Sequence, residues 1–412
     1  MLLFIAVAPV LILYSQGYRL DFDSFKIVKT GGIFLKIFPK QTEIYLDGKP
    51  IKKTDFFFGS ALIGDLLPKK YAVKIAKEGY QTWKKKFEVQ AKMVSEAKSI
   101  VLFSEKIDFS VLAENAQNFW LSPDGKEIIF QEPGKDDWAL KLYDLKRNIK
   151  SHLIGEKTIS SRGAELISLE WPDDSREIFL KVAALEQEKN FVLKLDSAPL
   201  VLTERKIPTG PKGTIALEES DDEFYYLDNL GNLYIADSSF TAKIKLNQIP
   251  FKPSQETKYE LEIISDFIFL AENENLYLLN KESGAFEKFF DGIKDLKISP
   301  DKKKMVFFSD SEIWILFLKD SQEQPQKKSG EKLLLFRTEK EIEDVFWLNP
   351  DYLVFLEGGA IRAVETDDRD KIQIWDIGKI SSPLKMSFSV LDNKIYALSG
   401  GEIFFSESIL TR

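Results

Sequence analysis

Cysteine is absent from the 412 residues, and histidine occurs once, at His152. The first absence excludes disulfides, thiolate nucleophiles and cysteine-ligated metal sites, and leaves the compartment open. The second excludes histidine-rich metal ligation and any histidine base other than His152. Positive charge is also in deficit: 57 Lys+Arg stand against 65 Asp+Glu, a net charge of −8. That balance argues against general nucleic-acid binding, because neutralising phosphates needs a basic face. No G-x-S-x-G occurs, and the repeats described below leave no residues for an α/β-hydrolase domain beside them.

Hydrophobic residues make up 44% of the chain and aromatics 13%, enough for packed cores in more than one unit. The first segment, Leu2 to Tyr14, is uncharged and interrupted only by Pro9. Residues 1–16 therefore read as an uncleaved transmembrane anchor and residues 17–29 as a linker, although at about 1.5 Å per residue the run is short for a hydrocarbon core of roughly 30 Å. A single-pass anchor here places the bulk of the chain on one side of the membrane. The expected side is extracytoplasmic, with Arg19, Lys26 and Lys29 flanking the anchor. The competing reading is a buried N-terminal helix in a soluble interaction module.

From residue 30 to about 104 the pattern becomes short alternating strands. Ile33, Leu35 and Ile37 share one face up to Pro39, Ile44-Tyr45-Leu46 runs into the hairpin dipeptide Asp47-Gly48, and Tyr71, Val73 and Ile75 alternate before Gly79-Tyr80. A small β-sandwich is expected. These landmarks, with Lys49, Leu66-Leu67-Pro68, Lys77-Glu78 and Trp83, resemble a PEGA domain, a surface-associated β-sandwich module. The namesake turn differs, since Lys40-Gln41-Thr42 follows Pro39.

Charge separates along the chain. Between Thr30 and Phe103 there are 14 Lys/Arg and 7 Asp/Glu, and residues 1–29 carry +1, so about −16 remains for the rest. Lys84, Lys85 and Lys86 are the candidate contacts to an anionic envelope polymer or lipid headgroups. The plainer reading is a solvated strand face.

Residues 105–412 repeat. Turn aspartates recur at Asp124, Asp173, Asp222, Asp266, Asp301, Asp351 and Asp392, about 45 residues apart, close to the period of four-stranded propeller blades. Four carry Pro-Asp, which stiffens a reversal: proline presets φ, and aspartate hydrogen-bonds its own backbone. Apolar runs follow each turn, for example Met305 to Phe308 and Ile313 to Leu318; in the sixth repeat they are Tyr352 to Leu356 and Ile372 to Trp375. The last repeat lacks an outer strand, and residues 107–112 are left over before the first, so pairing the two would close a seven-bladed ring. The register resembles TolB-like and WD-repeat-like propellers.

The expected fold is thus all-β: a seven-bladed β-propeller preceded by a small PEGA-like β-sandwich and an N-terminal transmembrane helix. His152 falls on an outer strand and reads as structural. The acidic groups Glu218-Glu219 with Asp221-Asp222-Glu223, and Asp367-Asp368 with Asp370, lack calcium-loop spacing and read as solvated loops. No catalytic, cofactor or metal residue is assigned, and the turn aspartates read as structural. A membrane-anchored binding or scaffold protein with a protein or glycan partner is expected. The alternative is an exported glycan hydrolase or lyase with carboxylate chemistry in the propeller channel, signalled by acidic and aromatic side chains converging on a deep pocket, whereas a narrow or apolar channel would favour binding.

Overall fold

A computed structural model describes residues 1–412 except 1, 23–24, 56, 136, 161–162, 173–175, 185–186, 207, 255–256, 382 and 411–412. The chain divides into two compact units. One comprises Met1–Glu114, Ser321–Lys327 and Asp344–Arg412; the other comprises Asn115–Asp320 and Lys328–Glu343.

The first unit opens with a helix, Leu2–Ser15, and a hairpin of Tyr18–Asp21 with Lys26–Lys29. The helix lies where the anchor was expected, but its 14 residues span about 21 Å. Among the described residues no helix is long and apolar enough to cross a membrane.

Two small sheets follow. One orders Lys49–Lys53, Glu43–Leu46, Lys70–Ala76 and Trp83–Glu88; the other orders Ser60–Leu66, Gly31–Phe38 and Val94–Val101. Asp47 and Gly48 take φ of 48° and 80°, the left-handed pair that a two-residue hairpin between Leu46 and Lys49 requires. Strict alternation buries Tyr71, Val73 and Ile75 on one strand and Trp83, Lys85 and Phe87 on another. The buried face of these strands belongs to a core that continues through Phe103 into Tyr352, Val354, Ala363 and Trp375. One continuous core is why residues 30–104 cluster with the C-terminal sheets and do not stand apart from them.

Among the described residues, seven further four-stranded antiparallel sheets follow, the sheet inventory of a β-propeller. Sheets one to five, numbered in chain order, begin with the strands Asn118–Leu121, Glu165–Glu170, Thr214–Ser220, Tyr259–Ile264 and Asp295–Ile298 and belong to the second unit; sheet six (Ile342–Asn349, Tyr352–Glu357, Ala360–Glu365, Ile374–Lys379) falls almost wholly in the first unit and sheet seven (Pro383–Ser389, Lys394–Ser399, Glu402–Ser406, Phe109–Ala113) entirely in it. Sheet seven takes its outer strand, Phe109–Ala113, from far upstream; Phe109 lies opposite Ser406. In sheet six the structure corrects the strand order. The third strand is Ala360–Glu365, reached through Gly358 and Gly359 at φ 56° and 78°, and the segment expected as third supplies the fourth. Arg362 and Glu365 interrupt the apolar pattern that would have revealed that strand.

The turn aspartates that are described sit between the first and second strands of their sheets. Asp173 lies outside the described residues. Asp222 follows Asp221 with φ of 64° and 51° in a two-residue turn between Ser220 and Glu223. In the Ser-Pro-Asp copies a buried serine organises the loop. Ser299 Oγ donates to Asp301 at 2.6 Å and accepts the Lys304 N–H at 2.9 Å, and Ser122 does the same with Asp124 and Lys126. Ser299→Ala should cost about 0.5–1.5 kcal/mol, because the part-buried Lys304 N–H and the Asp301 carboxylate lose their hydrogen bonds to this hydroxyl. Urea denaturation measures this, and an unchanged midpoint would mean that the hydroxyl is dispensable.

Candidate functional site

The second unit carries a groove of about 970 Å³ lined by sheets two, three and four. Its floor is built from first strands. Glu165–Glu170 of sheet two, Thr214–Ser220 of sheet three and Tyr259–Ile264 of sheet four contribute Glu170, Glu218, Glu260 and Glu262. Phe179, Phe191 and Tyr259 add apolar wall.

The basic side chains along the groove are mostly engaged. Lys181 pairs with Glu188 at 2.7 Å, Lys258 with Glu260 at 2.6 Å, Arg205 with Glu219 at 2.9 Å and Lys189 with Glu204 at 3.5 Å. Glu170, Glu218 and Glu262 have no ion-pair partner among the described residues. Burial, followed by the charges of Glu262, Glu170, Glu219 and Glu260, pushes Glu218 up to about 7. Glu262 is also raised, first by the protein crowded around it and then by Glu260, Asp295 and Glu170. It still reaches water in the groove, whereas Glu218 is half-buried. Near neutrality Glu218 is therefore divided between an acceptor-only carboxylate and a carboxylic acid that can also donate. No group of three or more acidic or histidine side chains among the described residues is placed to hold a metal ion.

Sequence reasoning named Glu218 only within a solvated acidic loop and did not connect it with Glu170 or Glu262. The signal available was a glutamate near the end of each first strand. Nothing in one-dimensional spacing shows that these ends converge.

Lys84, Lys85 and Lys86, the expected envelope contacts, separate in the structure. Alternation along Trp83–Glu88 leaves Lys84 and Lys86 exposed and buries Lys85 at 2% exposure. Lys85 is therefore not an envelope contact: its ammonium reaches Glu365 at 2.6 Å and the Asp367 carbonyl at 2.6 Å. Trp83 Nε1 donates to the same Glu365 carboxylate at 3.0 Å. Burial raises Glu365, and the charge and hydrogen bond of Lys85 act against that rise. Burial also acts to raise Asp367, but the hydrogen bonds of Arg369 and the charges of Lys85 and Arg369 outweigh it and hold Asp367 below its usual range.

The acidic loop read as solvated is thus a clasp. Asp370 accepts the Lys86 N–H at 3.1 Å, Gln373 accepts the Lys84 N–H at 2.9 Å, and Asp368 pairs with Lys327 at 2.8 Å. These contacts occupy the edge of the Trp83–Glu88 strand, which would otherwise present bare backbone donors. Lys86 also lines a smaller pocket of about 410 Å³ with Lys70, Glu88, Met93 and Arg369. His152 is exposed on the fourth strand of sheet one, away from the groove lining.

No protein-family model matches the chain, the PEGA domain included, and no curated protein sequence matches it significantly. Among solved structures it is similar to the β-propeller domain of Myceliophteria_thermophila Cps50 (Swd1), at 12% identity over 73% of this chain and 99% of that one, with a TM-score of 0.46. A streptogramin B lyase structure is matched at 12% identity over 73% and 97%, TM-score 0.45. A chain of a mitotic checkpoint complex is matched at 10% identity over 74% and 94%, TM-score 0.46. At such identities and scores these likenesses carry neither activity nor partner over to this chain.

Proposed function

We propose that the chain is a binding or scaffold protein held at a membrane by its N-terminal helix, which presents the groove of its second unit to a protein or glycan partner. The observation that carries this reading is the groove itself, open enough to leave Glu262 exposed: three carboxylates without an ion-pair partner among the described residues and an aromatic wall, with four of the lining cations already neutralised. Such a surface accepts hydrogen bonds from sugar hydroxyls or from the amines and guanidinium groups of a polypeptide. The seven four-stranded sheets and the shared seventh sheet support a seven-bladed propeller, and the hairpin and alternation landmarks of residues 30–104 support a PEGA-like module. An extracytoplasmic location and contact of Lys84 and Lys86 with anionic polymer or headgroups belong to the same reading.

Glu218, pushed up to about 7 inside the groove, favours one second reading. A carboxylic acid still protonated near neutrality is what a hydrolase or lyase acting on glycans would use as its general acid. Incubating the full chain with oligosaccharide and cationic-peptide panels separates the two. Ligand retained unaltered, and lost in Glu218→Lys, supports binding. Cleaved product whose pH profile loses a limb near 7 in Glu218→Gln transfers the function to the enzyme class.

The same residue has a stability consequence. A carboxyl raised in the folded state contributes stability that is complete below its unfolded value, near 4.5, and is lost as pH rises through about 7. Glu218→Gln should therefore raise the melting temperature at pH 8 and leave it unchanged at pH 4. Partial exposure limits the gain to roughly 1–2 kcal/mol. Equal effects at the two pH values would mean that Glu218 is not perturbed.

A further inference from the structure

We propose that the hairpin formed by Tyr18–Asp21 and Lys26–Lys29, with the adjoining Phe22 and Phe25, is a second membrane contact, lying in the interfacial zone of the bilayer that receives the helix; this rests on reading the helix as membrane-held.

The helix supplies the first half of the argument. Leu2–Ser15 contains no charged residue, and none of the described side chains from Val7 to Ser15 is buried. Val10, Leu11 and Ile12 are 63%, 61% and 55% exposed. A helix that docks in a protein groove keeps a polar back toward water, and this one has no polar back. Lipid is the surrounding that covers a helix on every side.

The hairpin supplies the second half. Its two faces differ in kind. Arg19, on one face, stacks on the Tyr14 ring at 3.6 Å, donates to the Tyr14 carbonyl at 2.7 Å and pairs with Asp65 at 2.9 Å. At the hairpin base the Thr30 N–H and hydroxyl both donate to the Gly17 carbonyl. The hairpin is thereby fastened to the helix end and to the strand Ser60–Leu66, with little freedom to fold its other face away.

That other face is apolar and bare. Leu20 and Ile27 lie directly opposite each other at 44% and 61% exposure, and Phe22 and Phe25 extend from the tip at 73% and 81%. Lys29 sits over the Tyr18 ring at 5.6 Å on the same face, and Lys26 is exposed beside Ile27. Apolar and aromatic side chains bordered by lysines match the layered chemistry of a headgroup region, where rings sit at the boundary and cations meet phosphate.

The absence of cysteine makes the test clean, since one introduced thiol carries one label. The full chain is reconstituted into phosphatidylcholine–phosphatidylglycerol vesicles with an environment-sensitive fluorophore at Phe25→Cys, at Leu11→Cys, or at Leu230→Cys as an exposed control in the second unit. Blue-shifted emission and quenching by lipid-borne quenchers at positions 11 and 25, but not 230, are expected. A shift at 11 with a water-like signal at 25 overturns the hairpin contact and leaves the membrane reading standing. Water-like signals at both positions overturn both. In vesicle sedimentation of the folded, unlabelled chain, Ile27→Asp should weaken partitioning about tenfold; unchanged partitioning also overturns the hairpin contact.

Discussion

Lys85→Met is expected to destabilise the protein by about 3–5 kcal/mol, the usual consequence of removing one member of a buried ion pair and leaving the other uncompensated. Lys85 and Glu365 side chains are 0% and 3% exposed and 2.6 Å apart, and Trp83 donates to the same carboxylate. With the ammonium gone, Glu365 keeps the burial that already raises it and loses the charge that opposed the rise. The deficit should therefore shrink as pH falls through the raised Glu365 value, since a neutral acid needs no cation, and should be fullest at alkaline pH. Lys85→Met with Glu365→Gln should recover part of the loss, because the amide oxygen still accepts from Trp83 and the Glu365 charge is gone, while Asp367, 3.6 Å from the Lys85 ammonium, keeps Arg369 as its partner. Denaturation midpoints from pH 4 to 8 measure all three. A single variant within about 1 kcal/mol of wild type at pH 8 would mean that the pair is hydrated.

Phe103→Ala should cost a comparable 3–5 kcal/mol, approximately the span for truncating a buried aromatic. Phe103 is 0% exposed, and its ring centroid lies 5.3 Å from that of Trp375 and 5.8 Å from that of Tyr352. Its removal opens a cavity where the core of residues 30–104 meets sheet six, so Trp375 fluorescence should shift red together with the lowered midpoint. Phe103→Leu keeps most of the volume and should lose less than about 2 kcal/mol. If the alanine variant unfolds with wild-type midpoint and spectrum, the shared core does not hold these elements together.

Much of the architecture was readable because strand chemistry is local. Ile33, Leu35 and Ile37 alternate, Asp47-Gly48 supplies two left-handed residues in succession, and Pro300-Asp301 stiffens a reversal, whatever lies elsewhere in the chain. The repeat could be counted for the same reason. Ala360–Glu365 escaped because its Arg362 and Glu365 are polar for tertiary purposes: Arg362 reaches Asp376 at 2.7 Å, and Glu365 holds Lys85. Local pattern assigns such residues to solvent.

The candidate site was far less legible. Lys84, Lys85 and Lys86 are identical in sequence terms, yet the two-residue period of a strand sends the middle one inward, and a carboxylate 280 positions later pairs with it there. Glu170, Glu218 and Glu262 are separated by more than forty residues each and meet because successive first strands converge in the second unit.

Composition and periodicity alone therefore determined the all-β class and the described aspartate turns, since each depends on neighbours within a few residues. Which lysine is buried, which acidic loop is a clasp and which glutamates share a groove were decided by tertiary structure. Burial and electrostatic coupling act through space over several ångströms, and sequence separation carries no measure of that distance.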